Sequence, residues 1–138
     1  MRYTLLTVFL AAALIVPARA QLNEPHRSIS TQTVEELTKA AGHLEEAVRQ
    51  HPDDVELYIY LGMTYTRLDK ADAAQQAFET VVRLDPKRGI AHYMLGLIYE
   101  KKGLKDKATA EWRACLETAV EPRMRETARK HLHHLASQ

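Results

Sequence analysis

Two stretches of eight residues decide the fold: YIYLGMTY at residues 58–65 and HYMLGLIY at residues 92–99. They are two copies of one pattern, and each has Leu-Gly at its centre and Tyr at its end. A shift of 34 residues, which aligns the two stretches, also aligns small residues with small residues and aromatic residues with aromatic residues further along the chain. Ala74 aligns with Ala108, and Phe78 aligns with Trp112. A repeat of about 34 residues predicts structural units that stack on one another and bury a continuous core.

A glycine recurs in the middle of a predicted helix in both copies. Glycine costs up to about 1 kcal/mol relative to alanine at such a position. Its recurrence as Gly62 and Gly96 therefore predicts a place where two helices approach too closely for a Cβ atom. Aromatic side chains are expected to fill the wedge between the paired helices: Tyr65, Phe78, Tyr99 and Trp112.

The joint pattern resembles the tetratricopeptide repeat, a helix–turn–helix unit of about 34 residues. The first copy, residues 55–88, reads Y-x2-L-G-x2-Y from Tyr58, followed by A-x3-F and a closing P. The second copy, residues 89–122, has His92 in place of the leading aromatic residue, and its proline comes two residues late. The resemblance implies an all-α fold: helix–turn–helix tetratricopeptide repeats in a short right-handed solenoid with N- and C-terminal capping helices.

The repeat domain is predicted to span residues 33–138. It opens with a half repeat at 33–54, which supplies a second helix without its first, and it ends with a capping helix at 122–135. Because two repeats bury too little core alone, these flanking helices are needed. Apolar spacing predicts six helices, at about 33–50, 54–68, 71–84, 88–102, 105–118 and 122–135.

Several helix starts carry capping signals. Residues 33–36 and 53–56 have the spacing of a capping box. Asp69 is expected to open the third helix, and Asp85, followed by proline, to open the fourth. Gly103 predicts the turn between the two helices of the second copy.

The N-terminus has the pattern of an export signal. Residues 5–16, LLTVFLAAALIV, form a run without a charge, and this run is shorter than the roughly 20 residues that a membrane helix needs. The sequence ARA at 18–20 is typical of a signal-peptide cleavage site. We expect residues 1–20 to be a signal peptide cleaved after Ala20, leaving a flexible lead at 21–32 and a periplasmic or secreted protein. The alternative is an uncleaved membrane anchor.

Composition and charge exclude several classes of protein. The chain has 138 residues, a net charge of +1 and one cysteine, which allows one domain and excludes an internal disulfide and a uniformly basic nucleic-acid binder. Residues 21–86 hold six basic and 12 acidic residues, whereas 87–138 hold 11 basic and six acidic. This asymmetry permits head-to-tail self-association.

The sequence shows no constellation for catalysis. It contains no nucleophile motif and no glycine-rich phosphate loop, so we expect neither enzymatic activity nor a cofactor. Cys115 is predicted to be a buried thiol and His92 a core residue. His131 and His134 share a helix face but make an incomplete metal site. Weak metal binding through these two histidines is one alternative function.

A second apolar stripe follows the first helix of each repeat, rotated from the packing stripe. In the family this stripe lines the concave groove that holds partner peptides or helices. The resemblance implies that eight side chains form a partner-binding groove: Ile59, Tyr60, Met63, Arg67, Tyr93, Met94, Leu97 and Lys101. Four of them are expected to make apolar contact with the partner: Ile59, Met63, Tyr93 and Leu97. Arg67 and Lys101 are expected to form the polar rim.

The groove differs from the best-known variant of the family. Members that clamp a peptide carboxylate carry Lys and Asn at the places that Ile59 and Met63 hold here. The expected partner is therefore an apolar segment or amphipathic helix of another protein. The sequence predicts a non-catalytic scaffold or adaptor in a bacterial-type cell envelope. The alternatives are a self-associating structural protein and a groove covered by the chain's own lead or capping helix.

Overall fold

The computed structural model describes residues 33–137. That range contains six α-helices and no strand: α1 (Val34–Gln50), α2 (Val55–Arg67), α3 (Ala71–Leu84), α4 (Gly89–Lys101), α5 (Lys105–Thr118) and α6 (Pro122–Ala136). Each predicted helix is confirmed, to within one residue at either end. None of these helices is long and apolar enough to cross a membrane. The predicted signal peptide and lead lie outside the described residues.

The helices pack in chain order. Helix α1 packs on α2, α2 pairs with α3, α3 contacts α4, α4 pairs with α5, and α5 contacts α6, which also touches α4. Contacts between successive elements are what a stack of helical repeats requires. Helix α4 lies in the middle of this order and has eight buried residues. Neighbouring helices cover α4 on several sides, so apolar side chains all round this helix can be buried.

The two helical glycines face aromatic rings. A Cβ built on Gly62 would lie 2.8 Å from Cζ of Phe78, and one built on Gly96 would lie 2.7 Å from Cε2 of Trp112. Both rings are fully buried. The predicted close approach is therefore confirmed, and the structure shows that it is the ring of the facing helix that occupies the space of the missing side chain.

A tyrosine–glutamate hydrogen bond recurs with the repeat. The hydroxyl of Tyr65 donates to Oε1 of Glu45 at 2.5 Å, and the hydroxyl of Tyr99 donates to Oε1 of Glu79 at 2.6 Å. Burial and the bond to Glu45 raise the pKa of Tyr65 to about 12, and burial and the bond to Glu79 also raise the pKa of Tyr99. Both hydroxyls therefore keep their protons and act as donors between successive units.

The predicted N-cap is confirmed for α1 and is wrong for α2. Thr33 forms the predicted capping box with Glu36. The prediction of Asp53 as the second cap is wrong by one residue. Asp54 is the N-cap of α2, and its carboxylate accepts hydrogen bonds from two amides of the first turn at 3.0 and 3.3 Å.

The prediction that Asp69 opens α3 is also wrong, because Asp69 closes α2 instead. It has a positive φ of 55°. Its amide donates to the carbonyl of Thr66 at 3.1 Å, and the amide of Lys70 donates to the carbonyl of Tyr65 at 2.9 Å. These two bonds form a Schellman motif. Gly103 takes the same place after α4, with φ 70°, which confirms the turn predicted there.

Asp85 does not cap α4. It follows the last residue of α3, and its Oδ1 accepts a hydrogen bond from the amide of Lys87 at 3.1 Å. Asp85 and Pro86 therefore shape the turn before α4. Helix α4 itself begins at Gly89 without a side-chain cap.

Asp69→Gly should stabilise the fold by about 0.5–1 kcal/mol, because glycine adopts a left-handed conformation without a Cβ penalty. The change removes an ion pair between Asp69 and Lys101, but that pair is solvent-exposed and contributes little. Urea denaturation followed by circular dichroism measures the gain. The reverse change at the equivalent position, Gly103→Asp, should cost a similar amount. A loss of stability in Asp69→Gly would contradict this account.

Candidate functional site

The predicted groove residues differ in how far they reach the surface. Tyr60 and Met63 of α2 are 59% and 40% exposed. The charged residues assigned to the rim, Arg67 and Lys101, are also exposed. Tyr93 and Leu97 of α4 are half-buried. Ile59 and Met94 are only 9% and 7% exposed. Of the apolar residues predicted for the groove, Tyr60, Met63 and Leu97 therefore remain accessible at the surface, together with part of Tyr93.

Ile59 belongs to the core rather than to the open surface. It lies in one buried cluster with Ala74 and Phe78 of α3 and with Met94 of α4. The helices of the two repeats pack so closely that the edge of each first helix is partly covered. Tyr93 is also a packing residue, since its ring meets that of Trp112 edge-on, with 5.5 Å between centroids.

A pocket opens between the end of α2, the start of α3 and the face of α4. Leu97 and Met94 line it together with Lys101, and five residues that the sequence analysis missed complete it: Thr66, Asp69, Ala71, Ala74 and Ile98. Nζ of Lys101 lies 3.0 Å from Oδ1 of Asp69. The site therefore combines an apolar lining with an ion pair at its edge. The missed residues come mainly from the turn and from α3, which a stripe on one helix does not include.

His131 of α6 packs against the core and contacts a carboxylate, whereas His133 and His134 are exposed. Nδ1 of His131 lies 2.6 Å from Oε2 of Glu100, and the same oxygen accepts a hydrogen bond from Nε1 of Trp112 at 2.9 Å. The imidazole stacks on Trp112 with 4.4 Å between centroids. His134 joins His131 at a polar hollow that Glu100 and Lys130 also line. In residues 33–137, no three His, Cys, Asp or Glu side chains are grouped so that they could hold a metal ion.

His92 is buried as predicted, with 6% of its surface exposed. Its Nδ1 lies 2.7 Å from Oε2 of Glu111, and its Nε2 lies 2.8 Å from the carbonyl oxygen of Pro86. The bond to Glu111 raises the pKa of His92, and burial opposes that effect. Cys115 is also buried as predicted, and burial raises the pKa of its thiol, which disfavours the reactive thiolate.

Stacked helix pairs that recur with the period of the sequence repeat define the chain as a helical repeat protein. Two family models of the tetratricopeptide repeat match it, one over residues 35–98 and the other over residues 90–121. Together they extend over more than half of the chain, and the chain belongs to the tetratricopeptide repeat family. The repeats support a role as a protein-interaction scaffold, and the family is generally non-catalytic.

Two solved structures have a similar fold. The first, titled "Crystal structure of MamA", has a TM-score of 0.60 and 21% sequence identity, over 75% of this chain and 69% of that one. The second, titled "MamA MSR-1 C2", has a TM-score of 0.57 and 18% identity, over 80% of this chain and 79% of that one. At these identities the likeness establishes the helical repeat fold.

Proposed function

We propose that this chain is a non-catalytic scaffold of the cell envelope that binds an amphipathic helix of another protein in the groove. The observation that carries the proposal is the exposure of Tyr60 and Met63 on α2, together with the apolar pocket to which α4 contributes Met94 and Leu97. Large apolar side chains grouped at the surface are typical of interaction sites. A methionine also adapts easily to the shape of a partner.

The chemistry of the groove favours an amphipathic partner over a purely apolar one. The apolar residues lie beside charged groups, with Arg67 in the last turn of α2 and Lys101 in the last turn of α4. A helix with one apolar face and acidic flanks would place its apolar side chains against Met63 and Leu97 and its carboxylates near these cations. Helices that dock in grooves are recognised by such spaced apolar anchors.

Location in the envelope rests on the sequence of residues 1–20. A short basic start, the uncharged apolar run at 5–16 and the ARA triplet support export and cleavage after Ala20. N-terminal sequencing of the protein purified from its own cells tests this part of the proposal. An N-terminus at Gln21 is expected, and an intact N-terminus would contradict cleavage.

Met63→Glu/Leu97→Glu should reduce partner binding at least tenfold without loss of helical structure. The two carboxylates would meet an apolar face and, on the proposed partner, acidic flanks, and each buried unpaired charge costs several kcal/mol. Folding should survive because Met63 is exposed and Leu97 is half-buried. Crosslinking in intact cells from a photoreactive residue placed at Tyr60, followed by mass spectrometry, measures the binding.

The matched control is Gln76→Glu/Ala110→Glu, which adds the same charge at exposed positions of α3 and α5. One partner should be crosslinked in the wild type and in this control, and lost in the groove variant. Undiminished crosslinking in a folded groove variant would contradict the proposal. Recovery of crosslinks only to the chain itself would also contradict it and would favour self-association, which the charge asymmetry along the sequence permits.

A further inference from the structure

At one pair of packed positions, the second repeat has a histidine and a glutamate that the first repeat lacks. The first repeat has Tyr58 and Ala77, and the second repeat has His92 and Glu111 at the equivalent places. Ala77 and His92 are both buried. An aromatic residue and a small residue are thus replaced by two groups that titrate. Residues that titrate are rarely buried unless they are paired, so this substitution gives the second repeat a property that the first lacks.

Hydrogen bonding around His92 determines how many protons its ring carries. Nε2 faces the carbonyl oxygen of Pro86 at 2.8 Å, and Nδ1 faces Oε2 of Glu111 at 2.7 Å. A carbonyl oxygen and a carboxylate oxygen only accept hydrogen bonds. Both ring nitrogens must therefore donate, and an imidazole that donates from both nitrogens is the imidazolium cation.

We infer that an imidazolium–carboxylate pair, the buried His92 with the partly exposed Glu111, ties α5 to α4 and that alkaline solution loosens this joint by removing the imidazolium proton. The groups that face the ring come from α5, which supplies the Glu111 carboxylate, and from the turn before α4, which supplies the Pro86 carbonyl. Glu111 is the charged group in contact with the ring in the described part of the chain. Its field also reaches Tyr99, whose hydroxyl keeps its proton.

Deprotonation would leave a ring nitrogen and an oxygen facing each other with no hydrogen between them. The His92 ring is buried, so little water reaches a ring nitrogen that loses its partner, and leaving that nitrogen unpaired is costly. Since α5 also carries Trp112, on which His131 of α6 stacks, loosening α5 would weaken the support of α6. The consequence is a C-terminal part of the array that is held more firmly at pH 6 than at pH 9.

The direction of the pH dependence follows from linkage. The pKa of His92 is higher in the folded chain than its ordinary value of 6.5. The stabilisation from the pair is therefore fully present below pH 6.5 and is lost as the pH rises through the raised pKa. Wild-type stability should thus fall from neutral to alkaline pH.

Nitrogen-15 NMR of the purified chain tests the protonation state directly, with the His92 signals assigned by their absence in His92→Gln. At pH 7 both ring nitrogens should show the shifts of a protonated imidazolium. A ring with one protonated nitrogen at pH 7 would overturn the inference, since the ring would then be neutral and not the imidazolium cation. This readout uses the wild-type chain and does not depend on the folding of any variant.

Urea denaturation between pH 6 and pH 9 tests the consequence for the fold. The double variant His92→Tyr/Glu111→Ala restores the residue pair of the first repeat and removes both titrating groups. The wild-type folding constant should fall several-fold more than that of the double variant, because the six other histidines are common to both. Equal slopes in the wild type and the double variant would overturn the inference.

Discussion

Trp112→Ala should destabilise the chain by about 3–5 kcal/mol, the cost of removing a fully buried large aromatic side chain. The indole is completely buried and lies against Gly96. Tyr93 meets it edge-on and His131 stacks on it, so one ring joins α4, α5 and α6. Because small domains are only marginally stable, a loss of this size is expected to unfold much of the C-terminal part of the array.

Urea denaturation followed by circular dichroism measures the effect, since Trp112 is the only tryptophan and its removal abolishes the fluorescence signal. The control is Trp112→Phe, which keeps a ring but loses the hydrogen bond from Nε1 to Glu100. We expect that control to cost about 1–2 kcal/mol. A loss below about 1 kcal/mol in Trp112→Ala, the size of an ordinary substitution, would show that the ring does not hold the three helices together.

Gly96→Ala should destabilise the chain by about 1–3 kcal/mol, the usual cost of overfilling a packed core. The added methyl would lie 2.7 Å from Cε2 and 2.8 Å from Cδ2 of Trp112, a ring that has no free space to move into. The intrinsic preference of a helix for alanine opposes this cost by up to about 1 kcal/mol. Steric overlap should nevertheless prevail, since a rigid ring cannot yield as a flexible side chain can.

Gly42→Ala is the matched control for that experiment. Gly42 also lies inside a helix, but a Cβ built there meets nothing within 4 Å. The change should therefore stabilise the chain by up to about 1 kcal/mol, through helix propensity alone. Thermal and urea denaturation of both variants measure whether each change raises or lowers the stability of the chain. Stabilisation by Gly96→Ala would contradict the close approach that the structure shows.

The repeat pattern predicts the fold because it records packing directly. Leu61-Gly62 and Leu95-Gly96 are needed only where one helix lies tightly against another, so their spacing reveals both the helices and their pairing. The predicted helix bounds follow the structure to within one residue. The buried states of His92 and Cys115 were predictable for the same reason, since each occupies a core place in the repeat.

The helix caps were harder to predict because several acidic residues stand near each turn. Asp53 and Asp54 are adjacent, and only the backbone conformation decides that Asp54 accepts the hydrogen bonds of the first turn. Asp69 is of a residue type that often forms N-caps, but here it is the residue with left-handed backbone conformation that ends α2. The choice between these roles depends on dihedral angles, which residue type alone does not determine.

The candidate site was predictable in part. A stripe on one helix identifies Met63 and Leu97, but it does not reveal that Ile59 and Met94 become buried when the repeats pack. The partners of the histidines were not predictable either. Glu111 lies 19 residues from His92, and Glu100 lies 31 residues from His131, so neither pair shares a helix.

The tyrosine–glutamate hydrogen bonds determine where a chain of this kind can grow. Each bond links a unit to the one before it, with donor and acceptor at places that recur once in every repeat. A copy of the first repeat inserted between the two repeats would find its donor and acceptor at both new boundaries. A unit added after α5 would face Arg113 in the acceptor place, and a guanidinium cannot accept a hydrogen bond. Lengthening by duplication is thus favoured in the interior of the array and opposed at its C-terminal end.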